Sequence, residues 1–585
     1  MDKKPKSIWK KSWTGWSWLR AWLILVVAVF FIILIITLFL PGGPRSLSDW
    51  WLALFFTLLV SAAVATAFVG LWAFTRCFFC WRNFKRLLFG TACFATLVAL
   101  FYAEEDWRGW HAWNKFKHEW EAKGEHFDFA SMVPPPVPDD QNFALTPVVA
   151  SSYLYILDKN GHRINPQNTN VVNQLGMTIY GDADWKNWPT NGYWSKGTKT
   201  DLNVWQRYYR LVATKTNLFP VPAQPQSPAE DVLVALSKYD SVIEELREAS
   251  RLPGSRFPLN YDSESPSAIL LPHLAALKRC SQTLQLRAIA ELQNGQPEKA
   301  LADVKLALQL TDKIHTEPFL ISHLVRIRMV NLTLQPIYEG LAEHKWPEAQ
   351  LVALGAELAK LDFLPDYGTA MRGEMVLCQE GIIDYLRRHP GQISNMSDAG
   401  DSTQPTPAVS INYLIPSGWF YQNQLRCARL MVQQYLPLAD LEHRIISPAS
   451  LRHANAALDL EFRHVSPYNR LEAMFFPAFG GAVRKFAYAQ TSVDLARTAI
   501  ALERYRLARG EFPESLDALA PQFIAKLPHD VINGQPLHYC RTGDGQFLLY
   551  SVGWNETDDG GEVGLTKNGN VDISTGDWVW RYPAK

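Results

Sequence analysis

The feature that most constrains this chain is a trio of uncharged apolar stretches gathered at its start: Ala21 to Leu40, Trp51 to Phe74 and Leu87 to Ala103. At 1.5 Å of rise per helical residue, the first two are long enough to cross a hydrocarbon core roughly 30 Å thick. The third is the shortest. The first stretch does not read as a cleaved leader, because its apolar core is too long, no small-x-small site follows it, and more spans come after. The chain is therefore expected to be a multi-pass protein whose first partner is the lipid bilayer.

Charge sets the expected orientation. Lys3, Lys4, Lys6, Lys10, Lys11 and Arg20 precede the first stretch, and Arg76, Arg82, Lys85 and Arg86 lie between the second and third. Glu104, Glu105 and Asp106 follow the third. The excess of basic residues on cytoplasmic loops places the N-terminus inside and everything after residue 104 outside. The expected location is a bacterial cytoplasmic membrane with a large periplasmic region. If Leu87 to Ala103 did not span, that region would lie in the cytoplasm. Tryptophan, 22 in all, crowds the flanks of these stretches. Trp107, Trp110, Trp113, Phe116 and Trp120 recur at near-helical spacing, as in an interfacial belt.

The remaining composition excludes little. Lys plus Arg and Asp plus Glu both number 57, so no global basic field argues for nucleic acid. Seven cysteines are too few for a disulfide-built scaffold. Cys77 and Cys80 have CxxC spacing but sit at a membrane edge without a βαβ context, and the pairing state of Cys280, Cys378, Cys427 and Cys540 stays open.

The soluble part reads as mainly α. An interfacial helix and a proline-rich linker cover 104–144, with Met132 to Asp140 in extended, polyproline-like form. A polar, irregular lobe covers 145–226; Asp182, Asp184 and Asp201 there fit no calcium-loop spacing. Helical hairpins cover 227–390. Ser227-Pro228-Ala229-Glu230 predicts a capping box opening a helix to about Ala249. Ser265 and Pro266 predict another, running to Leu292. A linker at 391–410 leads to further helices at 411–490, expected over Trp419–Arg444, Pro448–Phe462 and Gly481–Ala508. A smaller α+β module covers 491–585. His443, His453 and His464 are too scattered for a metal-ligand pair.

Two resemblances follow from local motifs. Ala290 to Leu310 (AELQNGQPEKALADVKLALQL) resembles the turn and second helix of a tetratricopeptide repeat, and Leu351, Leu354 and Leu358 echo Leu301, Val304 and Leu308. That implies stacked α-hairpins, with Arg326, Arg328, Arg372 and Glu374 as surface charges, paired charges or the lining of a groove. The end of the chain carries Ala501-Leu502-Glu503-Arg504-Tyr505, Phe512-Pro513, Leu527-Pro528-His529-Asp530, Tyr539, Ser551-Val552-Gly553 and Asp577-Trp578-Val579-Trp580. In that order they resemble the globular part of the type II secretion major pseudopilin, over about 491–582. The usual Asp-Pro-Trp-Gly is replaced by Asp530-Val531-Ile532-Asn533-Gly534, and no prepilin cleavage motif precedes the helix, so polymerisation as a pseudopilin is not expected. The resemblance implies a calcium loop, for which Asn555, Asp558, Asp559, Glu562 and Asp572 offer oxygen ligands. The same Asp and Gly residues also serve plain turns.

No P-loop, GxSxG elbow, GxGxxG or metal-ligand pair is present. The reading is a membrane-anchored envelope protein with an exported, non-catalytic interaction or scaffold region and protein partners in the envelope, linked to secretion or envelope assembly. The alternatives are an envelope hydrolase with a site assembled from distant segments, and a membrane-bound sensor.

Overall fold

The computed structural model describes residues 15–39, 47–78, 81–153, 156–157, 163–164, 174–181, 188–261, 263, 269–393, 411–476 and 479–582. Most of the basic N-terminal tail, Arg45, Cys80, Asp182, Asp184, Ser265 and Pro266 lie outside them. The chain divides at residue 104 into two units.

In the first unit, α1 (Gly15–Phe39) and α2 (Leu47–Phe78) pack together. Ser61 and Ala65, small residues one turn apart, are fully buried, and Val26 is buried too. Small residues at four-residue spacing let helices in lipid approach closely. Trp22 Nε1 donates to Thr66 Oγ1 at 2.9 Å across the pair. The third apolar stretch belongs to α3 (Trp81–Glu121), and Phe89, Phe94 and Leu97 on it are exposed. Among the described residues, three helices are long and apolar enough to cross a membrane: Trp16–Ile36, Thr57–Thr75 and Phe84–Glu121. The third run is short only when counted by its uncharged residues; as backbone it continues in one helix.

The aromatic belt after it divides. Trp107 and Trp110 are exposed, but Trp113 and Phe116 are buried. Their rings meet Phe127 at 5.7 and 6.1 Å, inside the core of the second unit. The Trp113 and Phe116 end of the run therefore packs on protein, while Trp107 and Trp110 stay exposed. Glu105 and Asp106 begin that packing: Trp419 Nε1 and Tyr468 donate to Glu105 at 3.1 and 3.0 Å, and the Gly418 amide donates to Asp106 at 2.7 Å.

The second unit is built on helices. The capping box forms with both reciprocal bonds, but its helix is interrupted: α4 (Leu202–Ala213) precedes α5 (Pro228–Leu236), a 3₁₀ turn at Ser237–Tyr239, and α6 (Asp240–Ser250). The lobe at 145–226 therefore contains a helix, capped by Asp201, and its Trp205 and Tyr209 are fully buried in a core shared with the following helices. Next come α7 (Pro272–Gln293), α8 (Pro297–Asp312), α9 (Leu320–Ala342), α10 (Glu348–Leu358) and α11 (Phe363–Val376). The first of these starts at Pro272, a proline at the first helical position, where its missing N–H costs nothing. Between α9 and α10 the indole of Trp346 lies over Gly340, where a Cβ would fall 2.1 Å from Nε1. That close approach requires glycine.

Further along, α12 (Ser417–Leu430) runs into a π-helical segment at Met431–Tyr435 and a 3₁₀ turn, so the helix expected to reach Arg444 ends early. α13 (Pro448–Phe462) and α14 (Phe479–Arg509) follow. The C-terminal strands β1 (His538–Arg541), β2 (Phe547–Ser551) and β5 (Trp578–Arg581) form an antiparallel sheet in the order β1-β2-β5, and β3 (Val563–Leu565) pairs with β4 (Val571–Gly576). Asp530 is buried and accepts hydrogen bonds from the amides of Ile532 and Val552 and from Ser551 Oγ, at 2.9, 3.0 and 2.9 Å. It clamps the turn before β1 to the end of β2.

Candidate functional site

Five segments distant in sequence enclose a cleft of about 610 Å³ in the second unit. Gln282 and Gln285 come from α7, Arg328 and Asn331 from α9, and Lys485 and Tyr488 from α14. Ile179, Tyr180 and the loop from Thr190 to Lys196 form one lip, and Asn570, Val571 and Ile573 of the β3–β4 hairpin form the other. A volume of this size suits a small-molecule site.

The loop is pinned by side chains of α9. Gln335 Oε1 accepts the Trp194 amide at 2.5 Å, while its Nε2 donates to the Thr198 carbonyl at 3.0 Å and to Glu339 Oε1 at 2.7 Å. Glu339 also accepts the amide and hydroxyl of Thr200, at 2.9 and 2.7 Å. Burial pushes the Glu339 carboxyl up to about 7, against these hydrogen bonds and with Glu343 adding repulsion. Pro336, inside α9, lacks the N–H that would close onto the Leu332 carbonyl, a residue of the cleft wall. The indole of Trp194 lies 5.3 Å from Trp580 and 6.2 Å from the Tyr488 ring. Lys196 Nζ donates to the Gly569 carbonyl at 2.5 Å, joining the two lips.

The electrostatics are one-sided. Among the described residues, the charged side chains lining the cleft are Lys196, Arg328 and Lys485, with no carboxylate. Arg328 and Lys485 are exposed and form no ion pair among the described residues. The guanidinium of Arg328 acts electrostatically on both Tyr180 and Tyr488, whose hydroxyls are nevertheless held above the ordinary phenol range by burial. Carboxamides supply the neutral polarity. Asn191 Nδ2 donates to Gln285 Oε1 at 3.0 Å, leaving Asn191 Oδ1 buried without a hydrogen-bond partner. Such a lining offers donors, acceptors, ring faces and positive charge. Among the described residues, it pairs no hydroxyl or thiol with a histidine or carboxylate.

The residues singled out from sequence fall elsewhere, with one exception. Arg326 pairs with Asp366 and lies over Phe363, and Arg372 makes two 2.8 Å hydrogen bonds to Glu125. Glu374, its carboxyl raised by burial, accepts the Leu320 amide at 3.3 Å. Only Arg328 lines the cleft. In the acidic loop, Asn555 Nδ2 donates to Asp559 at 2.7 Å, and Asp558 accepts from Tyr550 and the Gly560 amide, each at 3.0 Å. Glu562 faces Arg581 at 4.0 Å, and Asp572 is held by Ser574 on β4. Among the described residues, no group of three or more His, Cys, Asp or Glu is placed to hold a metal ion. His443 pairs with Asp440 at 2.7 Å.

No family model matches the chain, and no curated protein or solved structure is significantly similar to it.

Proposed function

We propose that this protein is a membrane-anchored, multi-pass envelope protein whose exported body is a non-catalytic binding scaffold, and that the cleft takes a polyhydroxylated anion such as an acidic oligosaccharide. One observation carries the ligand class: among the described residues, every charged side chain lining the cleft is a cation, set among carboxamides and the rings of Tyr180, Tyr193, Trp194 and Tyr488. Sugars are recognised by amide hydrogen bonds to hydroxyls and by flat ring faces against C–H faces, and carboxylates by Arg and Lys. Export is supported by the basic residues before α1 and between α2 and α3, set against Glu104, Glu105 and Asp106 after the third apolar stretch. The pseudopilin-like order of motifs near the C-terminus fits a role in secretion or envelope assembly.

The test is calorimetric titration of the full-length protein in detergent micelles with trigalacturonate, and with neutral galactotriose as its control. Saturable binding of the acid, weakened by salt and absent for the neutral sugar, supports the reading. Absence of binding by either, or equal binding of both, overturns it.

A further inference from the structure

A second cleft, of about 490 Å³, opens in the second unit between the turn Ile411–Leu414, α12 and the segment from Val465 to Met474. Unlike the first, it is apolar. Ile393, Ile415, Phe420 and Leu471 line it, and Val465 and Met474, which line it too, are exposed. Tyr413 and Leu414, just before Ile415, are exposed as well. Exposed apolar residues grouped in this way mark a surface that meets a protein or a membrane.

The polar groups of the wall are used within the fold. Asn423 Nδ2 donates to the carbonyls of Trp419 and Pro467, each at 2.8 Å, and its Oδ1 accepts the Leu471 amide at 3.1 Å. Ser466 Oγ donates to Asn469 Oδ1 at 3.2 Å and accepts the Tyr468 amide at 3.3 Å. Among the described residues, Arg470 is the only charged side chain lining the cleft; it is exposed and forms no ion pair there.

The place of the cleft says what covers it. Trp419, in its wall, donates Nε1 to Glu105 at 3.1 Å, and Tyr468, whose neighbour Pro467 lines the cleft, donates to the same carboxylate at 3.0 Å. Glu105 stands two positions after Ala103, where the third apolar stretch ends. A bilayer that holds this stretch therefore brings its headgroup layer within a side chain's reach of the cleft wall. The acids at that level are engaged: Glu105 also pairs with Arg108 at 2.6 Å, and Asp106 accepts the Gly418 amide at 2.7 Å.

We propose that the cleft holds one acyl chain of an anionic glycerophospholipid from the surrounding bilayer, with the lipid phosphate on Arg470. The inference rests on the membrane anchoring of the third stretch, not on the side that the body faces. An acyl chain loses little on moving from its leaflet into apolar walls, since lipid tails are as apolar as the side chains that replace them. Selection therefore falls to the headgroup, where a phosphate meets a guanidinium. The seated lipid also removes Val465 and Met474 from water.

The experiment reconstitutes the full-length protein in phosphatidylcholine vesicles carrying a trace of phosphatidylglycerol with a diazirine in mid-chain, irradiates them and maps the cross-linked peptides. Cross-links are expected on α1, α2 and α3 from the surrounding lipid and, in addition, on Phe420, Leu471 and Met474. The same diazirine on phosphatidylcholine is expected to label the cleft about fivefold less, the worth of one cation at a lipid phosphate. Arg470→Gln is expected to bring phosphatidylglycerol down to that level while the helices are labelled as before. Labelled helices with an unlabelled cleft overturn the proposal and leave anchoring intact; a protein or a second copy seated in the cleft would give that result. Equal labelling of the cleft by the two lipids, or undiminished labelling in Arg470→Gln, overturns the assignment of an anionic lipid. Unlabelled helices overturn the anchoring on which the proposal rests.

Discussion

Gln335 receives the backbone N–H of Trp194 at 2.5 Å across 141 positions of sequence. Its side chain is fully used, since the amide nitrogen serves the Thr198 carbonyl and Glu339. The bond fixes the lip of the cleft to α9. Gln335→Ala leaves buried groups on both sides without partners, each costing about 1–3 kcal/mol. The expected result is a loss of about 2–4 kcal/mol in denaturant unfolding. Ligand affinity should fall along with stability. Gln335→Glu should be no rescue, because it places a second carboxyl against Glu339.

Arg328 and Lys485 separate recognition from folding. Both are exposed and unpaired among the described residues, so Arg328→Ala and Lys485→Ala should leave stability within about 0.5 kcal/mol of the parent. Each removes a charge-assisted contact to the anion, worth about 1.5–3 kcal/mol. Titration with trigalacturonate should show binding weakened roughly 10- to 100-fold by each change. Unchanged affinity in both variants would remove the cleft from the proposed function.

Why one cleft residue was visible in the sequence and the others were not has a physical cause. Periodicity and caps are local: Ser227 with Glu230, proline at a first helical position, and the Asn294-Gly295-Gln296 turn all act within a few residues and were legible. The three apolar helices were legible for the same reason. The cleft is a tertiary product. Asn191, Gln285, Arg328, Tyr488 and Asn570 meet because helices pack and a hairpin folds over them, and no spacing among them encodes that. The same limit misassigned Trp113 and Phe116, whose pattern is identical for a lipid-facing and a protein-facing stripe.

Trp113 and Trp107 test that correction directly. Trp113 is buried against Phe116 and Phe127, and Trp107 is exposed. Trp113→Ala opens a cavity in the core, and such truncations cost about 3–5 kcal/mol. Trp107→Ala should leave the body's unfolding free energy within about 0.5 kcal/mol of the parent. Equal, small effects for both would return Trp113 to the membrane interface.

Stability should depend on pH in an unusual direction near neutrality. Burial pushes Glu339 up to about 7 and Glu472 up to about 8, from an ordinary value of 4.5. Glu472 faces Cys427 and, at longer range, Arg426 and Arg429, which only partly offset its burial. A carboxyl whose folded value lies above its unfolded value takes up a proton on folding, so its contribution is favourable at low pH and is lost as pH rises between the two values. Other groups act oppositely: hydrogen bonds from Lys199, Lys345 and Gln293 overcome burial and hold Glu343 at about 2, and its contribution is lost only as pH falls below 4.5. The thermal midpoint should therefore be highest near pH 5–6 and decline toward pH 8, with Glu339 and Glu472 each contributing on the order of 1–3 kcal/mol to the decline. Glu472→Gln and Glu339→Gln should each flatten the slope between pH 5 and 8. A midpoint that rises over that interval in the parent, or a slope unchanged in both variants, would show that these carboxyls are ionised at neutral pH despite their burial.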